Sequence, residues 1–171
     1  VISRRLMLSA GGAALLLSAC ETQRPVPDGT FPLMALIDDD ETISEFRAAL
    51  RRSGLDQTLQ GQGPFTVFAP TNSAWAVAPQ ALKEGRPEAV RALIANGRLR
   101  LPEIQARNGV VRMLSGNEVR LVGGEPTRPR IQYAAAGRPP APNAPSATIV
   151  RPNLLASNGV IHVIDQPLVP A

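Results

Sequence analysis

The segment Gly63-Pro64-Phe65-Thr66-Val67-Phe68-Ala69-Pro70-Thr71-Asn72-Ser73-Ala74-Trp75 leaves few structures open to it. Phe65 to Phe68 is apolar and β-rich, as a buried strand requires. Pro70 has no N–H to give to a strand ladder, so pairing stops near it. Thr71 and Asn72 each carry a side-chain oxygen that can cap a following turn. Trp75 then falls where it can pack back on the sheet. The segment reads as a strand that hands over abruptly to a helix, and none of its side chains is an evident catalyst.

The rest of the chain divides by period. Asp38-Asp39-Asp40-Glu41 is expected to open a helix, with carboxylates at its positive end. Ile43, Phe46, Ala49 and Leu50 share one face of it, and Gly54 supplies the stop. A calcium site is the alternative reading of the acidic run, but the glycine and distal glutamate of a calcium loop are missing. Leu55 to Leu59, Pro79 to Lys83, Pro87 to Ile94 and Pro102 to Gln105 are further helical segments, and those with proline carry it at the start. After Asn108-Gly109 the pattern turns to strands. Val110 to Leu114 and Glu118 to Val122 form a hairpin across Ser115-Gly116-Asn117. Gly123 to Arg130 reads as a loop, Ile131 to Ala134 as a strand and the proline-rich stretch Gly137 to Ser146 as a mobile loop. Ala147 to Arg151 resumes a strand, and Asn158-Gly159 turns into Val160 to Asp165. Helices come mostly first and strands mostly last, which predicts an α+β fold.

The amino terminus points to export. Arg4 and Arg5 precede an uncharged stretch, Leu6 to Ala19, that is shorter than the roughly 20 residues a spanning helix needs and suits a signal peptide. Its end, Leu17-Ser18-Ala19-Cys20, resembles a bacterial lipobox, which implies cleavage before Cys20 and lipidation of its thiol. A plain secretory signal is the alternative, and Ser3-Arg4-Arg5-Leu6-Met7-Leu8 leaves twin-arginine export open beside the general route. The expected organisation is a signal peptide over 1–19, a lipidated cysteine and tether over 20–30, and one domain over 31–171. Cys20 is the only cysteine, so no disulfide forms within the chain. Two acyl chains hold a protein to a membrane where one does so only marginally. Glu21, in place of the aspartate that retains some lipoproteins at the inner membrane, favours the outer one.

Charge sets the limits on partners. The formal charge is +4, to which Arg4 and Arg5 contribute, and Lys83 is the only lysine among 18 basic residues. No basic patch interleaved with aromatics appears, so nucleic acid is not an expected partner. His162 is the only histidine, and neither a histidine triad nor a multi-histidine metal site can be built around it. It is expected to be a buried structural histidine on a strand apolar on both faces. Thr71 and Asn72 are expected to cap rather than to bind a ligand, and Asp165 to end its strand with a turn contact. Gly159 is expected to serve the turn through a positive φ.

Two stretches carry a resemblance. Thr66, Phe68, Pro70, Thr71, Asn72 and Trp75, within Phe65 to Trp75, are similar to the first signature of the fasciclin domain. Asn158, Gly159, His162 and Asp165, within Asn158-Gly159-Val160-Ile161-His162-Val163-Ile164-Asp165-Gln166-Pro167-Leu168-Val169-Pro170, resemble the second. Gly97 to Ile104 and Leu114 to Leu121 fit the middle of the family. The resemblance covers about residues 31–170 and implies a wedge of β-strands packed with several short helices. It further implies an extracytoplasmic adhesion or interaction module with no catalytic residue, metal or cofactor. Many members carry a Tyr-His pair before the glycine turn; here that stretch is Ala92-Leu93-Ile94-Ala95-Asn96-Gly97, so adhesive activity tied to the pair does not carry over.

Two functions follow. One is an envelope lipoprotein that binds a protein or polysaccharide partner, with the membrane held through its N-terminal lipid. Arg98, Arg100, Arg107, Arg112 and Arg120 are candidates for an acidic glycan on the first reading, and solvated arginines on the alternative. The other function is a structural or assembly lipoprotein that acts beside an envelope partner. A small-molecule carrier is a third and weaker possibility.

Overall fold

The computed structural model describes residues 24–169; the expected signal peptide and Cys20 lie outside the described residues. Three helices, α1 (Leu33–Asp39), α2 (Ser44–Ser53) and α3 (Leu55–Leu59), lead into strand β1 (Phe65–Pro70). Helices α4 (Asn72–Trp75), α5 (Gln80–Lys83) and α6 (Pro87–Arg91) separate it from β2 (Ile94–Asn96). Helix α7 (Leu101–Ala106) precedes β3 (Val110–Arg112), β4 (Glu118–Glu125), β5 (Arg128–Ala134), β6 (Ser146–Ala156) and β7 (Gly159–Ile164).

The strands form a seven-stranded sheet in the order β2-β1-β7-β6-β5-β4-β3. Every neighbouring pair is antiparallel except β1 and β7, which run parallel in register from Phe65 beside Gly159 to Pro70 beside Ile164. The two outermost strands come together as well. Ala95 bridges Met113, and the Leu114 N–H donates to the Ile94 carbonyl at 2.7 Å. The sheet therefore curls until its edges touch, which hides backbone groups that an open edge would expose. Strand β6 makes the bend: Ser146 to Thr148 pair with β5, and Ile149 to Ala156 pair with β7 through register shifts. Pro152 and Asn153, the latter at φ 58°, lie within those shifts.

Helices cover the β2-β1-β7 half, where α1 touches β7, α4 touches β1 and α6 touches β2. Leu33, Ile37, Phe46, Leu50, Phe68 and Leu93 are wholly buried between these layers, and Trp75 packs into the same core. Removing the Phe46 or Phe68 ring from such a core costs about 3–5 kcal/mol. The α+β architecture expected from the sequence is the one observed.

Several local expectations change. Asp38 and Asp39 end α1 rather than opening a helix. Asp40 then breaks the helix in an extended conformation, and its side chain caps a 3-10 turn at Glu41–Ile43 by accepting from the Thr42 N–H at 2.9 Å. Carboxylates at a helix C-terminus oppose its dipole, and Arg51, paired with Asp38 at 2.7 Å, offsets this. The stretch Ala92 to Ile94 leaves the helix for β2, because Ile94 has a strand partner in Val67. Gly123 to Arg130 is not a loop but the end of the β4–β5 hairpin, which passes Gly123 and Gly124 at φ 132° and 94°. The expected tether also joins the fold before residue 31: Asp28 bridges Leu155 on β6, and the Gly29 N–H donates to the Leu155 carbonyl at 3.1 Å.

Candidate functional site

The parallel pairing of β1 with β7 lays the two sequence signatures side by side. Phe68 stands opposite His162, and the two rings stack with centroids 5.3 Å apart and planes 23° from parallel. The His162 ring is fully buried. Its Nδ1 accepts from the Asn153 N–H at 3.3 Å, and its Nε2 lies 2.8 Å from the Leu99 carbonyl oxygen. A nitrogen that accepts cannot also carry the proton of the neutral ring, so Nε2–H donates to Leu99. Burial pushes the imidazole below its ordinary value, against the opposing pull of the Leu99 carbonyl. Both nitrogens are spent on backbone, and the ring is neutral and held.

The other signature residues are used in the same way. The Thr66 hydroxyl donates to the Gly97 carbonyl at 2.6 Å and accepts from the Leu99 N–H at 2.9 Å, so it fastens the turn after β2 to β1. Thr71 caps α4, accepting from the Ala74 N–H at 3.3 Å, while its own N–H donates to the Ile164 carbonyl at 3.0 Å. Asn72 reaches further than a local cap. Its amide donates to the Glu41 carbonyl at 2.8 Å and accepts from the Glu45 N–H at 3.1 Å, so it supplies the N-terminal cap that α2 lacks in its own sequence.

Asn158 joins three elements. It accepts from the Leu33 N–H at the start of α1, and it donates to the carbonyls of Leu59 and Gly61, each at 2.8 Å. Asp165 accepts from the Thr148 N–H at 2.6 Å and so ties the end of β7 to β6. Gly159 departs from expectation in its reason. Its φ is not positive; a Cβ there would run into the Phe65 carbonyl and lie 2.8 Å from Leu33 Cδ1. Close approach of β1 and α1, not turn geometry, demands glycine at 159.

The arginines named from the sequence do not gather into one surface of free charge. Arg98 donates to the carbonyls of Ala156 and Ser157, and Arg100 pairs with Glu103. Arg112 and Arg120 both face Glu118, at 3.7 and 2.8 Å. Glu118 is buried, and the hydrogen bond from Arg120, helped by the Gly137 N–H, holds its carboxyl below the ordinary range. Arg107 is exposed and has no ion pair among the described residues; it lines a cleft of about 340 Å³ with Asn96, Leu99 and Arg112.

Near the start of the fold, Asp40 pairs with Arg151 beside a cleft of about 360 Å³. Burial works to raise the Asp40 carboxyl, but hydrogen bonds from Thr42 and Arg151 outweigh it and keep it low. The acidic run is thus divided among a helix end, a cap and ion pairs. Sequence reasoning did not single out Tyr133, Arg138 and Asn143, which line a cleft of about 540 Å³ beside the proline-rich loop. The unusual proline content of 137–146 was the only signal in the sequence pointing there.

A sequence profile of the fasciclin domain matches residues 41–170. Protein sll1483 of Synechocystis is 30% identical over a stretch that takes in 84% of this chain and 76% of that protein. The rabbit transforming growth factor-beta-induced protein ig-h3 is 32% identical over 81% of this chain, yet the match spans only 19% of its own length. Among solved structures, a domain pair from the insect cell adhesion molecule Fasciclin I superposes with a TM-score of 0.66 at 19% identity, over 82% of this chain and 51% of that one.

Proposed function

The chain belongs to the fasciclin domain family, and from that premise we propose that it is a non-catalytic interaction module at the bacterial envelope, held to the membrane by lipid on Cys20 and mediating adhesion to a protein or polysaccharide partner. One observation carries the non-catalytic part of this reading. His162, the only imidazole in the chain, is neutral with both ring nitrogens bonded to backbone, and Thr66, Asn72, Asn158 and Asp165 of the two signatures take part in fastening elements together. A general acid or base needs a nitrogen or oxygen that can reach a substrate, and the buried ring offers none. The adhesive part rests on kinship: one relative of the same fold is an insect cell adhesion molecule.

The envelope part rests on the lipobox-like Leu17-Ser18-Ala19-Cys20. Membrane fractionation of a Cys20→Ser variant tests it: the variant is expected in the soluble fraction, and full retention in the membrane pellet overturns the anchor. Cross-linking of intact envelopes separates adhesion from the assembly role. Binding of whole cells to an external surface supports adhesion, while capture of one stable envelope protein without such binding supports assembly.

A further inference from the structure

The cleft between Tyr133 on β5 and the loop 137–146 differs from the polar clusters of the two signatures, whose side chains are taken up by backbone. It holds about 540 Å³, within the roughly 300–1,000 Å³ typical of small-ligand clefts. Arg138 is the only charged residue lining it, and no carboxylate does. Among the described residues, the Tyr133 hydroxyl, the Arg138 guanidinium and the Asn143 side-chain amide have no hydrogen-bonding or ionic partner. Prolines 139 and 145 and neighbouring alanines supply its apolar wall.

The sequence suggested a mobile loop here, yet the wall is pinned to β5. Gln132 donates to the carbonyls of Ala141 and Ala144, each at 3.1 Å, and the Tyr133 N–H donates to the Pro145 carbonyl at 2.8 Å. The Ala144 N–H closes a turn on Ala141 at 3.0 Å, the Arg138 N–H donates to Ala135 at 3.0 Å, and the Gly137 N–H donates to Glu118 at 3.2 Å. A ring, a cation and an amide are thus presented on a wall already ordered, which lowers the entropy a ligand must overcome.

We propose that this cleft binds a uronate-bearing saccharide, with the sugar face against Tyr133, the carboxylate on Arg138 and ring hydroxyls on Asn143. The proposal rests on the interaction-module reading above and gives it a ligand class. A guanidinium grips a carboxylate through two parallel hydrogen bonds. An amide both donates and accepts, as hydroxyls require. Burial raises the Tyr133 phenol, so it remains a donor. A neutral saccharide leaves Arg138 without its counter-charge, and a nucleic-acid strand needs a run of cations that this cleft lacks.

The test is calorimetric titration of the full chain with digalacturonate, its dimethyl ester and trialanine. Digalacturonate is expected to bind, with the ester weaker by at least about tenfold, as befits loss of a charge-assisted pair. Arg138→Ser is expected to weaken digalacturonate by a similar factor with an unchanged circular-dichroism spectrum, while Arg107→Ser leaves the affinity alone. No binding of digalacturonate, equal binding of the ester, or indifference to Arg138→Ser overturns the proposal. Trialanine binding as tightly as digalacturonate also overturns it, because the cleft then reads a bare carboxylate. Failure of the broader reading looks different: digalacturonate binds, but cells displaying the chain adhere to no surface and cross-link to no partner.

Discussion

The β1–β7 pair and the β5 strand with its loop treat polar side chains in opposite ways. At β1 and β7, Thr66 and His162 are fully buried and end on backbone groups of other elements, and Asn158 beyond the strand does the same for α1 and α3. At β5, Tyr133, Arg138 and Asn143 face a cleft without partners among the described residues, while the backbone beneath them is fastened. Buried polar groups are expensive unless satisfied, so each one that is satisfied specifies a single arrangement of its neighbours. Exposed groups can stay uncommitted at little cost. The signature pair accordingly builds the scaffold, and the region outside the signatures is where recognition chemistry remains available.

Substitutions can break or sharpen this contrast. Gly159→Ala is expected to destabilise most, by about 3 kcal/mol, because the new Cβ meets the Phe65 carbonyl and Leu33 and the backbone must shift. Urea unfolding reads this as a lower midpoint; an unchanged midpoint would show that β1 and β7 do not approach as described. Asn158→Ala removes the partners of the Leu33 N–H and of two carbonyls and is expected to cost about 2 kcal/mol. A loss below about 0.5 kcal/mol in the same measurement would place Asn158 among ordinary surface residues.

The pH dependence comes next in size. The folded His162 titrates below its ordinary value of 6.5, so the unfolded chain takes up the proton first as pH falls. Its contribution to stability is fully present above 6.5 and is lost as pH drops from 6.5 through the lower folded value, at up to about 1.4 kcal/mol per pH unit. Buried or half-buried Glu118 and Asp40 act with the same sign but at lower pH, since their folded values lie below 4.5 and 3.8. Unfolding of His162→Gln beside the parent chain isolates the histidine: the parent is expected to show a steeper decline just below pH 6.5, and parallel curves would refute the buried neutral ring. Arg138→Ser has the smallest expected effect, within about 0.5 kcal/mol, because the side chain has no partner to lose. A larger loss in thermal or urea unfolding would move Arg138 from the proposed recognition surface into the scaffold.

Much of the scaffold is legible in the sequence. Pro70 and the Thr71 cap mark the end of β1, and the doubly apolar run from Val160 to Ile164 announces a strand buried on both faces. What escaped the sequence depends on distant partners. Ala92 to Ile94 continues a helical pattern locally, and only the pairing of Ile94 with Val67 draws it into β2. Asp38 and Asp39 look like a helix start because carboxylates favour one, and only their pairing with Arg51 and Arg24 shows why they can stand at an end. Gly159 is needed for a reason the sequence hides, since the sequence shows a turn but not the β1 carbonyl pressing on it. The cleft at Tyr133 was least visible. Single tyrosine, arginine and asparagine residues in and beside a proline-rich stretch carry no periodic signal, and hydrogen bonds from Gln132, the Tyr133 N–H and the Gly137 N–H to distant partners shape them into a surface.

Nitrogen-resolved NMR of the imidazole is the most direct test that the signature pair is a locked scaffold rather than a chemical site. With one histidine in the chain the ring signals need no assignment. The expected result is a neutral ring protonated at Nε2, with no titration at pH 6.5 and charging only at lower pH. A ring that titrates at or above 6.5, or that carries its proton on Nδ1, would contradict it.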